Sequence, residues 1–579
     1  MKPLFTLLLS LVIVNAVFSQ SPKITWGEEF KMSKGSTDLS VVFTDNTGVY
    51  LQESHMVLKS YFIIGASTRE SATLIKLDKN LTQLYRNDFN KELRGKEFEQ
   101  FFTVEDKLYI LASDYSKRDK TFILYAGIVN NATGDLSGDW QQLASWVKDE
   151  KSDNIHFKLS NNADNTSLIL VSSIEGKEKN SYQVQEFDKN LRSMGKPINL
   201  SNEFDPKTFQ LEDVLFTTSK KIVLVARIYE YEEGKRHKDK FLDFMHYNVR
   251  IYDNSGKQQA DIKTDINGKW LVSTKVIQEP DKDLVLAAFY SDEKKGNNIN
   301  GMLVQRIDPA TGNIISTSQK EINTSLITTL EDDNTGYDES DEDSKKEKKE
   351  REKLDKIKDE SEGFTRYMQF KNIFYTADNG LVILAEKYHH YTYTTTSYSP
   401  GFGGGMGTYS TQTYTVFETG DLMMCKVDIG GNINWLQVMP KAQREIVSGG
   451  GNSSYGGGFS IGVYYFNHYN MPFYSGFGAL QGSNNINIIF NDNPKNADVL
   501  QLGQKVKTAS AFRRSDCFNL VLDIATGKYT RKQFFSNKDV PTAMPRLGSY
   551  IGGDMYMVGR EDRLFGKTKL AVAKVTLGK

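Results

Sequence analysis

Short apolar runs alternate along the chain with compact polar turns, and one kind of turn recurs. In its clearest copy the apolar run 303–307 ends in the turn 308–313, which reads DPATGN, and a new β-rich run begins at 314. The turn 523–528, DIATGK, is nearly the same. An Asp at the first position can bond the backbone two residues later, and Gly can take a positive φ at little cost. The pattern therefore predicts β-hairpins.

The repeat of this turn predicts the fold. Its copies open at positions 78, 130, 188, 253, 308, 428 and 523. Most lie about 50 to 65 residues apart, near the period of propeller blades. We expect an all-β chain whose residues 20–579 form a single eight-bladed β-propeller, with seven blades as the alternative. The last blade, from about 540, is one strand short, and the isolated β-like run 23–32 is expected to complete it and close the ring. In the first blade the run 61–64 is assigned to the second strand.

Three segments interrupt the repeat. Residues 326–363 are a charged segment with almost no apolar residue, expected to be a disordered insertion without a specific metal site. Residues 388–417 read as a projecting hairpin of Thr and Tyr strands with a glycine-rich tip. Residues 446–462 form a Gly/Tyr-rich insertion. In a propeller, second-to-third strand loops and blade-to-blade loops emerge on one face, so all three are expected side by side there.

Exposed loops rich in Tyr and Gly offer large contact areas at low cost in side-chain entropy. The first hypothesis is therefore a non-catalytic cell-envelope scaffold that binds a protein or a glycan through this elaborated face. The alternative is a hydrolase or a carbohydrate-binding protein that uses the central channel. The candidate binding residues of the first hypothesis are Tyr391, Tyr393, Tyr398, Phe402, Tyr409, Tyr414, Tyr455, Tyr465, Phe466 and His468.

Recognisable catalytic chemistry is sparse. The sequence contains no H-E-x-x-H, C-x-x-C or Walker pattern. His389 and His390 would face opposite ways on a strand, so they cannot readily share a metal. Cys425 and Cys517 are expected on the third strands of two neighbouring blades, too far apart along them for a disulfide, and should be buried free thiols. We predict no catalytic residue, metal or cofactor from these patterns.

The charge composition and the N-terminal sequence bear on the partners and the location of the protein. Lys and Arg number 72 against 73 Asp and Glu, which argues against nucleic-acid binding. Residues 1–19 read as a secretory signal peptide, with Lys2 before an apolar run and small residues before Gln20. No later stretch is apolar for about 18 residues, so no transmembrane segment is expected in the mature chain. It is expected to act as a monomer or as part of a larger complex.

The turns at 308–312 and 523–527 resemble those of quinoprotein-like eight-bladed propellers, in which D-x-x-T-G is followed by Trp. Asp428 with Trp435, and Asn130 with Trp140, come nearest to that arrangement, and the vicinal Cys pair of the quinone enzymes is missing. The resemblance thus implies the propeller without the cofactor. The chain also looks like secreted or periplasmic propellers of Bacteroidota, some of which serve gliding or type 9 secretion machinery. That resemblance implies export, with the periplasm favoured and an extracellular or cell-surface location as the alternative.

Overall fold

The computed structural model describes a chain built almost entirely of β-strands. The residues that it describes are 22–31, 36–59, 67–148, 154–162, 164–176, 179–231, 242–264, 268–278, 282–293, 299–322, 368–399, 408–449, 472–561 and 569–577. The predicted signal peptide and the charged insertion 326–363 lie outside these ranges. So do the tip of the projecting hairpin and most of the Gly/Tyr-rich insertion.

The strands form eight antiparallel sheets, one for each predicted blade. Two short strands precede the first blade, β1 (Lys23–Trp26) and β2 (Phe30–Lys31). Blades 1 and 2 contain β3 (Ser36–Asp45), β4 (Gly48–Lys59), β5 (Ser67–Leu77), β6 (Gln83–Asp88), β7 (Glu97–Val104), β8 (Lys107–Ser116), β9 (Thr121–Val129) and β10 (Leu136–Val147). Blades 3 and 4 contain β11 (Asn154–Asn161), β12 (Leu168–Glu175), β13 (Asn180–Phe187), β14 (Ile198–Asn199), β15 (Phe209–Phe216), β16 (Ile222–Tyr231), β17 (Leu242–Tyr252) and β18 (Gln258–Lys263).

The second half of the chain repeats the arrangement with additions. Blades 5 and 6 contain β19 (Trp270–Ile277), β20 (Leu284–Ser291), β21 (Gly301–Ile307), β22 (Ile314–Glu321), β23 (Met368–Tyr375), β24 (Leu381–Ser399), β25 (Thr408–Val427), β26 (Ile433–Met439) and the extra β27 (Gln443–Gly449). Blades 7 and 8 contain β28 (Phe477–Gln481), β29 (Asn485–Asp492), β30 (Asp516–Asp523), β31 (Tyr529–Ser536), β32 (Thr542–Ala543), β33 (Ser549–Ile551), β34 (Asp554–Glu561) and β35 (Lys569–Thr576). Three 3-10 helices, Pro494–Asn496, Phe512–Arg514 and Pro545–Leu547, lie between strands of these last two blades.

Eight apolar cores, one between each pair of neighbouring blades, show that the sheets form a closed ring. The core between blades 8 and 1 joins Leu51 and Ile75 to Val558 and Val572. Each sheet is covered on both faces, which explains why runs such as that of β20 are buried at every position. The eight-bladed prediction is confirmed, and the seven-bladed alternative is excluded.

The N-terminal strand completes the last blade, as predicted. β1 pairs antiparallel with β35, from Lys23 opposite Thr576 to Trp26 opposite Ala573, and β2 continues along the same strand. Trp26 also packs edge-on against Phe535 of blade 7, with ring centroids 5.6 Å apart. The outer strand of blade 8 thus comes from the opposite end of the chain, and no open edge is left on β35.

In blades 1 to 7 the recurrent turn joins the third and fourth strands and contacts the preceding blade. In blade 7, Gly527 has φ +71° and lies against the indole of Trp435, whose Nε1 donates to Ile524 O at 3.2 Å. The equivalent turn glycines of other blades lie against Tyr85, Ala260 and Ser316. These three and Trp435 are each the third residue of a fourth strand. The turn therefore stabilises both its own hairpin and the interface with the preceding blade.

Two blades make the same turn without glycine. Leu81 and Leu191 occupy the left-handed conformation at φ +64° and +62°. Both side chains are buried, Leu81 in the core that closes the ring and Leu191 in the core between blades 2 and 3. Burial of a leucine side chain offsets the roughly 1 kcal/mol cost of that backbone conformation.

One strand assignment was wrong. The second strand of blade 1 is β4, whereas the run 61–64 lies outside the described residues. β4 contains His55 and Glu53, both buried. Buried polar residues interrupt the apolar run that marks the second strand in other blades, so the more apolar run at 61–64 appeared a better match.

The contact that the recurrent turn makes with the preceding blade predicts different losses of folding stability for two glycine substitutions. A Cβ at Gly527 would lie 2.6 Å from Trp435 Cδ2, and the positive φ adds strain, so Gly527→Ala should cost about 2 to 4 kcal/mol. Gly503 is the matched control, since its φ is +86° and an added Cβ would meet nothing within 4 Å. Gly503→Ala should cost only about 1 kcal/mol. Urea unfolding of the two variants measures the difference, and equal losses would contradict the docking role.

Candidate functional site

The second and third strands of blade 6, β24 and β25, form a long hairpin that extends beyond the blade. β24 and β25 pair from the blade out to Ser399 opposite Thr408, and β27 pairs with β25 over Thr413 to Thr419. We call β27 and the parts of β24 and β25 beyond Lys387 the projecting sheet. It joins the predicted hairpin to the start of the Gly/Tyr-rich segment, so these two elaborations are in direct contact. The charged insertion lies outside the described residues.

The predicted binding residues are divided by this sheet. Tyr391 and Tyr393 are each only 7% exposed and pack against Val416, with Tyr414 half-buried beside them. Tyr398 and Tyr409 stand opposite each other in the strand pairing. The side chains of these last two lie outside the described residues, as do Phe402, Tyr455, Tyr465, Phe466 and His468. The two most buried tyrosines of the set thus form the sheet's own core rather than a contact surface.

The two adjacent histidines and the two cysteines lie as the sequence analysis predicts. His389 faces Glu418 at 3.4 Å, whereas His390 faces Tyr388 and Phe417 on the other side of the strand. Both cysteines are buried and free, and burial raises the pKa of each thiol. Within the described ranges, no group of three or more His, Cys, Asp or Glu is arranged to hold a metal ion.

The central channel shows a feature that the sequence did not reveal. The first strand of each blade is the innermost, and in the described ranges five of these strands carry β-bulges. In blade 1 the bulges leave Thr37 and Val42 unpaired, and in blades 2, 4, 5 and 6 they leave Glu99, Glu212, Val272 and Lys371 unpaired. β-Bulges bend a strand and re-aim a side chain, and they are enriched beside active sites.

Carboxylates characterise the wall of blades 2 to 4. Glu99 accepts a hydrogen bond from the Ser113 hydroxyl. Glu212 pairs with Arg227 Nε at 2.8 Å, yet burial raises the pKa of this carboxyl group above its usual value. Asp213, next to it, forms a 2.6 Å ion pair with Lys158 from the first strand of blade 3. Two of these three carboxylates are paired with cations, and each of the three has a second oxygen that can accept a further hydrogen bond.

Cations characterise the wall of blades 5, 6 and 8. Lys371 Nζ lies 3.1 Å from Gln369 Oε1 and 4.7 Å from the centre of the Tyr388 ring. Arg546, from the 3-10 helix of blade 8, lies 5.1 Å from the centre of the same ring. Lys275 of blade 5 donates to the backbone oxygen of Lys371 at 3.2 Å. We call Lys275, Lys371 and Arg546 the cationic wall.

Burial and the neighbouring cations lower the pKa of Lys371, the central residue of the cationic wall. Burial, together with Arg546, Lys441 and Lys275, lowers the pKa of Lys371 to about 7, against the opposing effect of Glu386. Glu386 and Lys441 are themselves a fully buried ion pair at 2.6 Å, and Lys441 Nζ also contacts Thr419 Oγ1 and Gln443 Oε1. Because Lys441 already has this partner, Glu386 compensates the cationic wall only in part. In the described contacts, Lys371 itself has an amide oxygen and a ring face as partners and no carboxylate.

This geometry favours an anionic group in the channel. A negative charge beside Lys371 and Arg546 would relieve the repulsion between them and would favour the protonated amine. The sequence carried only a weak signal: Gln369 and Lys371 interrupt an otherwise mainly apolar and aromatic strand, MQFKNIFY. Arg546 lies 175 residues after Lys371 and has no sequence feature that links it to this strand.

Comparison with known proteins supports the fold alone. No protein-family model matches the sequence, and no curated protein matches it. Among solved structures, the β-propeller domain of the Trilobed protease from Pyrococcus furiosus covers 90% of this chain and 98% of its own, at 9% identity and a TM-score of 0.30. An α-L-arabinanase from Penicillium chrysogenum covers 52% and 98%, at 8% identity and a TM-score of 0.26. Prolyl oligopeptidase B from Galerina marginata covers 66% and 39%, at 10% identity and a TM-score of 0.28.

The first functional hypothesis is corrected. The similar structures named here include propeller hydrolases, the class of our alternative hypothesis, and do not include a non-catalytic envelope scaffold. Two candidate binding residues of that hypothesis, Tyr391 and Tyr393, are buried within the projecting sheet and so offer little contact surface. No helix in the described ranges has the length and apolar character that a membrane span requires.

The lowered pKa of Lys371 predicts how stability depends on pH. Between about pH 7 and the usual lysine pKa of about 10.4 the unfolded chain binds the extra proton, so this group destabilises the fold below pH 7 and ceases to do so above about pH 10. Lys371→Met should therefore stabilise the protein at pH 6 by about 1 to 3 kcal/mol and have little effect near pH 10. Chemical unfolding at both values measures this. Lys532→Met, at an exposed position, is the control and should show no such pH dependence.

Proposed function

We propose that the central channel binds an acidic saccharide, whose carboxylate meets the cationic wall and whose hydroxyl groups meet the carboxylates of blades 2 to 4. The observation that carries this proposal is Lys371, held on a bulged inner strand among cations and without a carboxylate partner in the described contacts. A lysine or arginine pair recognises a carboxylate through charge-assisted hydrogen bonds.

The two walls together narrow the class of ligand. A simple anion would need only the cationic side. Glu99 and Glu212, re-aimed by equivalent bulges, and Asp213 beside the second of them supply acceptors suited to hydroxyl groups. A ligand with one acidic group and several hydroxyl groups satisfies both sides of the channel. This is the chemistry of uronic acids and related sugars.

Hydrolysis of the same ligand is the second candidate. Glu212 has a raised pKa, which suits a general acid. An active enzyme would release reducing ends from acidic oligosaccharides, and Glu212→Gln would abolish that release while leaving binding within a few-fold. Binding without any release of reducing ends would assign the channel to recognition alone.

Binding should be specific for acidic sugars and should depend on pH. We expect calorimetric titration with oligosaccharides of galacturonate, glucuronate and mannuronate to show binding to at least one of them, with neutral oligosaccharides of equal length binding at least tenfold more weakly. Affinity should fall as the pH rises through about 7, because an anion favours protonated Lys371.

The matched variants are Lys371→Met, which should weaken acidic-sugar binding at pH 6 at least tenfold, and Lys532→Met, which should leave it unchanged. Equal affinity for acidic and neutral sugars, or no binding to any of them, would refute the proposal.

We also infer export to the periplasm, supported by the apolar pattern of residues 1–19. Expression of the full chain in a bacterium that exports such leaders should yield a mature protein beginning at Gln20. Mass spectrometry of the N-terminal peptide measures this. Replacing Leu8 and Leu9 by Asp should retain the full-length chain in the cytoplasm, and an uncleaved wild-type chain would contradict the inference.

A further inference from the structure

Four consecutive backbone amides beside the channel are held by two side chains of the projecting sheet. The carboxylate of Glu445 accepts from the backbone N–H groups of Phe473, Tyr474 and Ser475 at 2.8, 2.8 and 2.9 Å. Gln443 Oε1 accepts from the backbone N–H of Gly476 at 2.7 Å. Glu445 and Gln443 are two residues apart on β27, so both side chains leave the same side of the strand.

Glu445 is a buried carboxylate whose hydrogen bonds come from residues 473–475 rather than from a cation. Its residue is only 6% exposed, and burial raises its pKa while the three amides act in the opposite direction. Its neighbour Arg444 points to the other side of β27, where it contacts Glu418. A carboxylate kept at this cost fixes the path of residues 473–476 immediately before the inner strand of blade 7.

This segment in turn seats Arg546. Gly476 has φ +91°, and a Cβ there would lie 3.0 Å from Arg546 Cδ and 3.3 Å from one of its guanidinium nitrogens. The arginine therefore crosses directly over the backbone of Gly476 to reach the Tyr388 ring, where Lys371 also lies. By these two ring contacts, the charged centres of Lys371 and Arg546 are within about 10 Å of each other.

We infer that Glu445 is a positioning residue for the anion site: by fixing residues 473–476 it holds Arg546 beside Lys371, and it thereby links the projecting sheet to the channel. This inference rests on the proposed function, since the anion site is the one proposed above. It assigns a role to β27, an added strand that the blade does not need for its own four-stranded sheet.

The direction of a pH shift separates positioning from simple loss of charge. The charged groups that act on Lys371 are Arg546 of blade 8, Glu386 and Lys441 of blade 6, and Lys275 of blade 5. If Arg546 moves away, its repulsion is lost and the midpoint of the binding pH profile rises. If a glutamate charge is merely removed nearby, the midpoint falls, because a carboxylate favours the protonated lysine.

The test compares Glu445→Gln and Glu445→Asp with the wild type by calorimetric titration of the acidic oligosaccharide from pH 5.5 to 8.5. Both variants should bind at least fivefold more weakly at pH 6 and shift the midpoint upward, because Gln lacks the second anionic oxygen and Asp is too short to reach all three amides. Ile446→Thr, at an exposed position of the same strand, is the control and should bind as the wild type does.

Gly476→Ala provides a second route if the Glu445 variants fail to fold. It leaves the carboxylate in place but displaces Arg546, so it should also raise the midpoint. A downward shift, or wild-type binding in every variant, would overturn the inference. Failure of the wild type to bind any acidic sugar would instead overturn the proposed function, whereas wild-type binding that Lys371→Met abolishes and these variants leave intact would remove only the role of Glu445.

Discussion

Blades 1 to 7 of this propeller each depend on a turn that takes a left-handed backbone conformation where it meets the blade before it. At Gly527 the residue can have no side chain, because the Trp435 ring occupies that space. At Leu81 and Leu191 the side chain itself enters the neighbouring core. In the first case a side chain from the fourth strand of the preceding blade fills the space at the interface, and in the second case the side chain of the turn residue fills it. This explains how a ring can keep one geometry around its circumference although its blades share little sequence.

The same constraint closes the ring. Leu81 belongs to blade 1, and its neighbour across the turn is Gly27, which directly follows β1 of blade 8. The N-terminal strand is therefore held on one side by its hydrogen bonds to β35 and on the other by the first turn of the chain. Closure brings the two ends of the chain into one blade, so the final interface can form only after the last blade is complete. Contacts of such sequence separation are expected to form late in folding.

The architecture could be predicted from the sequence because its turns and strands depend on local residue types. A turn such as 308–312 needs Asp and Gly wherever it occurs, and a missing last strand leaves the N-terminal run as its replacement. The site was not readable, because its geometry arises from bulges and from contacts across the ring. A bulge at Lys371 shifts the pairing by one residue without changing the strand's composition. Arg546 can reach Tyr388 because Gly476 has no side chain in its path, and no local sequence pattern predicts this contact. For the hairpin tyrosines the sequence analysis was misleading. Their composition indicated exposed side chains, whereas the strand pairing places Tyr391 and Tyr393 in a small core.

The electrostatics of the channel give the strongest physical reason to look there for function. Two buried cations in the described ranges are compensated by carboxylates: Arg531 lies 2.7 Å from Asp492 and Lys441 lies 2.6 Å from Glu386, with all four side chains almost fully buried. Lys371 differs from these two, since its nearest charged neighbours are mainly cations and its pKa is lowered to about 7. Compensation there would have been simple, because an acidic residue in place of Gln369 would lie beside the amine. A lysine left in this state costs stability, and strained or uncompensated groups concentrate at sites that bind or react. An anion that enters the channel would supply the charge that the fold itself omits.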